Sequence, residues 1–179
     1  SAAARGYRAQ QAFRLRIAEA GAEALDGLSK ADQPAIVLVG RPYNIYDKGV
    51  NLNIPHKLRS AYGINTIPLD FLPLDTVEVS DINSNMFWNY GRKILQAARF
   101  TSRDSRLHLI YLTNFKCGPD SYVKQFCEDA AVKPFLVLQF DGHGSDTGMM
   151  TRCEAYLDSK GILRWWREVE GDRSMEEPS

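Results

Sequence analysis

Four apolar runs alternating with helical segments constrain this chain more than any other feature. The first, AIVLVG from Ala35, is uninterrupted, as expected of a strand buried on both faces of a parallel sheet. INTIPLDFL follows from Ile64, then LHLIYLTN from Leu107 and KPFLVLQF from Lys133. Helical patterns lie between them in NIPHKLRSAYG, SNMFWNYGRKILQAARF and PDSYVKQFCEDAA, and GMMTRCEAYLDSKG follows the last. Strand and helix in alternation predict parallel strands joined by right-handed crossovers, with helices on both faces.

The expected fold is therefore α/β: a doubly wound, mostly parallel sheet of about four strands, flavodoxin-like or Rossmann-like, with an N-terminal helix. Pro68 can donate no ladder bond, so the second run is expected at an edge, outside the first, with the third and fourth runs on the other side. From about Tyr7 to Leu28, the residues Phe13, Ile17, Leu25 and Leu28 recur at helical spacing and predict a helix that packs on something else. The expected organisation is a helical segment over 1–33, an α/β domain over 34–163 and a polar tail over 164–179.

Lys+Arg and Asp+Glu both number 22, so no bulk field draws the chain to nucleic acid or to an anionic membrane. No run approaches the roughly 20 apolar residues of a membrane helix. No secretory leader is visible, and three cysteines make no disulfide framework, so reduced thiols and a cytoplasmic setting are expected. The chain opens SAAARGYRAQQ without an initiator Met, inside a helical pattern, and reads as a piece of something longer.

In open α/β sheets, sites gather where strands end and helices begin. At the first exit, Gly40 permits close backbone approach and Arg41 offers a planar fork for a carboxylate or phosphate; Tyr43 and Asn44 follow. Pairing of Arg41 with an acidic neighbour is the competing reading. No nucleotide-binding glycine motif occurs. At the second exit, Asp70 and Asp75 are expected to accept backbone hydrogen bonds or cap turns, and Phe87, Trp88 and Tyr90 to serve as core or interface.

The third exit, TNFKCGPDSY, places Cys117 before a helix. Free N–H groups and the helix dipole are expected to favour its thiolate. Gly118 gives room for a ligand, and Asp120 or Ser121 is expected to cap the helix. Cys127 and Cys153 fall on apolar helical stripes and read as core. At the fourth exit, Asp141, His143 and Asp146 lack a metal-site spacing, so helix capping and loop flexibility are the expected roles.

Taken together, GRPYNIYDKGVN, PLDFLPL, YLTNFKCGPDSY and GMMTRCEAYLDS resemble the iron–sulfur portion of the large activase-type proteins related to 2-hydroxyacyl-CoA dehydratases, over about residues 35–160. The resemblance implies that Cys117, in a Cys-x-Pro-x-Ser-aromatic segment matched by Pro119, Ser121 and Tyr122, ligates an iron–sulfur cluster. It also implies that Thr151, Arg152 and Glu154, in a Thr-Arg-x-Glu-Ala-aromatic segment, shape the fold around the same cleft.

The same resemblance implies partners: a preceding α/β domain that supplies the remaining cluster ligands, an ATP-hydrolysing activator domain, and an acyl-CoA. The chain has no activator phosphate loop and is similar to the cluster-bearing module only, so by itself it is expected to hold no cluster. Two other readings of the residues stay open. One is a module binding a phosphorylated ligand such as coenzyme A or flavin through Gly40, Arg41, Tyr43 and Asn44. The other is a docking domain using Trp88, Trp165 and Trp166.

Overall fold

The computed structural model describes residues 1–142 and 144–176, with side chains as far as 169. The expectation for His143 lies outside the described residues. Four parallel strands form one sheet in the order β2-β1-β3-β4, where β1 is Ala35–Gly40, β2 Asn65–Pro68, β3 Leu107–Asn114 and β4 Leu136–Phe140. Ala35 stands beside both Asn65 and Leu107, and Ile110 beside Leu136. Pro68 ends β2 at the sheet edge, where its missing N–H costs no ladder bond. All six residues of β1 are buried, which explains why this run is apolar throughout.

The helices α1 (Ala2–Lys30), α2 (Pro42–Tyr46), α3 (Ile54–Tyr62), α4 (Asn89–Ser102), α5 (Gly118–Ala131), α6 (Asp146–Ser159) and α7 (Ile162–Glu176) complete the fold. β1 leads through α3 to one neighbour, whereas β2 leads back through α4 to the other. Right-handed crossovers then put α3 and α4 on opposite faces. Accordingly α4 packs on α5, and α3 packs on α6. The core holds Ile36, Leu38, Ile94, Leu95, Ile110 and Tyr111, together with Cys127 and Cys153, both fully buried as their helical stripes predict. Burial pushes the Cys153 thiol up to about 12 and the Cys127 thiol higher still, so neither is reactive near neutral pH.

Three elements differ from the expectation. The loop after β1 contains the short helix α2, opened by Pro42 at its first turn. The helix expected from Ser84 begins at Asn89, because Trp88 is extended and the preceding residues form turns that bury Leu74, Val77, Val79 and Met86. The stretch expected as a tail from Arg164 belongs to α7. There Ile162 and Leu163 are buried, and the Trp166 ring lies where any side chain on Gly63 would stand. The N-terminal helix is confirmed, but only its second half packs. Gly21 and Leu28 are buried, with Gly21 against the Phe71 carbonyl, whereas Phe13 is 55% exposed.

His108, near the start of β3, gives a test of the lower half of the sheet. Burial, helped by the charges of Lys160 and Lys133, pushes its imidazole from 6.5 down to about 4. The unfolded chain then binds the proton more readily, so stability is full above about pH 6.5 and falls as the pH drops towards about 4. With partial exposure discounted, the expected loss is about 1–2 kcal/mol. Urea melts of the chain and of His108→Gln at the two pH values check this; the variant should lose most of the acid-side slope.

Candidate functional site

β1 ends at Gly40, whose φ of +147° suits glycine and whose Cα hydrogen points at the next strand: a Cβ there would lie 2.2 Å from the Leu112 carbonyl oxygen. Arg41 follows as the cap residue of α2. Its Nε donates to Asp120 Oδ1 at 3.0 Å, and Thr113 Oγ1 donates to Asp120 Oδ2 at 2.6 Å. Asp120 sits in the first turn of α5 with its side chain 2% exposed. One carboxylate thus ties the exits of β1 and β3 to a helix start.

Beside this clamp, buried Asn44 donates to the Leu112 carbonyl at 3.3 Å, and Asn51 donates to the carbonyls of Asn44 and Ile45. Tyr111 lies fully buried next to Asp120. Arg41 Nη2, Asn44 Oδ1 and Tyr111 OH are buried without a protein partner among the described residues. Internal water is the ordinary solution for such groups.

Cys117 stands at the rim. β3 ends at Asn114, Lys116 takes a left-handed turn at φ +58°, and the Cys117 N–H donates to the Asn114 carbonyl at 3.2 Å. The cysteine is the cap residue of α5, as the sequence predicts, and is partly buried. Gly118 has open space where a side chain would project, and half-exposed Tyr43 lies beside the thiol. Gly40, Cys117 and Asp141 therefore all fall at the carboxyl ends of their strands.

Two expectations for this corner are corrected. Neither Asp120 nor Ser121 caps α5: Asp120 is taken by Arg41 and Thr113, and Ser121 Oγ donates to the Cys117 carbonyl at 2.9 Å. The thiolate is not favoured either. Burial raises the Cys117 thiol above its ordinary value; the Asp120 backbone N–H at the helix start opposes this, but the Asp120 carboxylate adds to the rise and Arg41 offsets it only in part. The helix dipole is met by a carboxylate already in place, and the same charge repels a thiolate.

Thr151, Arg152 and Glu154 make their contacts elsewhere, along α6. Thr151 Oγ1 donates to the Thr147 carbonyl at 3.0 Å, Arg152 Nη2 donates to the Val137 carbonyl at 2.8 Å, and Glu154 lies beside Tyr62 at the end of α3. All three side chains are exposed.

Asp70, expected to accept from the backbone, instead takes three side-chain donors: Tyr46 OH at 3.1 Å, Tyr90 OH at 2.5 Å and Lys93 Nζ at 2.9 Å. Burial alone would raise this carboxyl, but the bonds from Tyr90 and Lys93 and the Lys93 charge hold it below its ordinary range. Phe87 is 90% exposed, and Trp88 meets it and Tyr122 edge to face, so Phe87 and Trp88 lie at the surface, whereas Tyr90 packs against the core.

Among the described residues no group of three or more His, Cys, Asp or Glu is arranged to hold a metal. A cubane takes about four thiolates. The one thiol at this edge does not by itself fit such a cluster. Among the described residues no helix is long and apolar enough to cross a membrane.

Residues 1–72 match a family model described as a CoA enzyme activase uncharacterised domain. The match covers α1, β1, α2, α3 and β2, and with them Gly40, Arg41, Tyr43 and Asn44. No curated protein and no solved structure matches the chain.

Proposed function

From the similarity of residues 1–72 to a CoA enzyme activase domain, we propose that the chain is one half of an iron–sulfur cleft in an activase-type or dehydratase-like protein. In this reading Cys117 contributes one thiolate. The remaining ligands come from a preceding α/β domain, and an ATP-hydrolysing activator domain delivers the low-potential electron. The substrate of the whole protein would be an acyl-CoA or a similarly hard-to-reduce compound.

One observation carries the reading. Cys117 is the thiol at the carboxyl edge of the sheet, half-covered and seated on the Arg41–Asp120 clamp, while Cys127 and Cys153 are sealed in the core. A raised thiol does not oppose it, since a bound metal ion deprotonates its coordinating thiol. The other residues have positioning work: Asp120 fixes the start of α5, Arg41 fixes Asp120, Gly40 lets β1 lie close against β3, and Gly118 leaves open space beside the thiol. The phosphorylated-ligand reading is weaker, because Arg41 gives its Nε to Asp120 and encloses its Nη2.

The test compares two cysteines in the intact parent protein. Cys117→Ala should remove the cluster while leaving the melting temperature nearly unchanged. Cys127→Ala should cost about 1 kcal/mol of packing and keep the cluster. Iron content and low-temperature EPR read the first effect, and thermal unfolding the second. A full cluster in Cys117→Ala would overturn the assignment.

A further inference from the structure

The N-terminal helix carries a charge pattern that nothing in its own fold uses. Residues 1–18 hold Arg5, Arg8, Arg14 and Arg16 and no acid, whereas the next stretch holds Glu19, Glu23 and Asp26. At 3.6 residues per turn, Arg5, Arg8, Arg16, Glu19, Glu23 and Asp26 fall within an arc of about 80°. That arc lies on the side of α1 opposite Gly21 and Leu28, its two buried residues, and every member is exposed.

Within the helix this arrangement is unfavourable. Arg5 with Arg8, Glu19 with Glu23, and Glu23 with Asp26 are like charges three or four residues apart, against the one opposite pair within the stripe, Arg16 with Glu19. Asp26 is relieved by Lys30 at 2.6 Å, but Arg5, Arg8, Arg16, Glu19 and Glu23 have no ion-pair partner among the described residues.

We propose that this stripe pairs α1 with the α1 of a second copy, antiparallel, about a two-fold axis near residue 14. In that register Arg5 of one copy faces Glu23 of the other, and Arg8 faces Glu19. Each pair occurs twice, as an isologous contact requires. Ala12 lies in the stripe and permits close approach at the crossing. Leu15, 58% exposed at its margin, is covered there. A parallel pairing would set arginine on arginine and glutamate on glutamate, so the charges select the orientation as well as the partner. The proposal is independent of the cluster reading, since it uses no residue of the Cys117 corner.

Charge reversal tests it on this chain. By sedimentation at low salt and high micromolar concentration the chain should be a dimer, and it should weaken as salt screens the pairs. Arg5→Glu with Arg8→Glu makes the stripe acidic apart from Arg16, and Glu19→Arg with Glu23→Arg makes it basic apart from Asp26. Each double variant should lose about tenfold or more in self-affinity. An equal mixture of the two should recover a heterodimer, and the four changes in one chain should recover a homodimer. Circular dichroism verifies that each variant is folded. A monomeric wild-type chain at low salt, double variants that still dimerise, or a mixture that stays monomeric would each overturn the proposal.

Discussion

Replacing Asp120 with alanine is expected to destabilise the fold by about 3–5 kcal/mol, the range for breaking a buried ion pair from one side. The guanidinium of Arg41, whose side chain is 18% exposed, would lose its partner, and Thr113 would lose the acceptor it reaches at 2.6 Å. Arg41 Nη2 already lacks a protein partner, so the buried guanidinium would be left without any protein acceptor. Asp120→Asn should cost less, since an amide oxygen can still accept one of the two bonds. Removing both charges, as in Arg41→Met with Asp120→Leu, should recover much of the loss. Urea unfolding of the four proteins measures this. A cost for Asp120→Ala below about 1 kcal/mol would mean that the pair behaves as a surface contact.

Gly40→Ala should be nearly as severe, at about 2–4 kcal/mol, from two independent causes. A φ of +147° is strained for any residue with a Cβ, and the new methyl would meet the Leu112 carbonyl 2.2 Å away. The obstacle is backbone in the adjacent central strand, so no rotamer change relieves it. By contrast, Gly118→Ala meets open space and should change stability little. Thermal melts of the two variants side by side distinguish this geometry from a general intolerance of glycine substitution.

The sheet was legible because its signals are local. An unbroken apolar run marks a strand buried on both faces, and Pro68 marks an edge, which together give the order β2-β1-β3-β4. Cys127 and Cys153 were legible through helical periodicity. The site was legible only in its positions. Gly40, Arg41 and Cys117 lie where strand exits must lie, but the partner of Arg41 is 79 residues away, and nothing near Asp120 in the sequence distinguishes an ion-pair acid from a helix cap.

The role of Asp70 is hidden for the same reason, since its donors Tyr46, Tyr90 and Lys93 come from α2 and α4. Thr113 and Tyr111 were passed over as members of an apolar strand. A hydroxyl near the end of such a run was the available signal, because a buried hydroxyl needs a partner. At Cys117 the backbone N–H of the helix start does favour the thiolate, but burial and the carboxylate in the first turn outweigh it, and neither is visible in the local sequence.

The Arg41–Asp120 link also bears on the order in which the molecule is made. As the chain leaves the ribosome, β1, α2, α3 and β2 are complete while β3 has not yet been synthesised, so β1 waits with one side of its ladder open and Arg41 in water. The strand that closes that side brings Thr113, and Asp120 arrives only with the helix after it. Closing so long a loop is an entropic cost met before any contact in the corner rewards it. Docking of β3 is therefore the step expected to limit folding, and the Cys117 rim is assembled only once that step is complete.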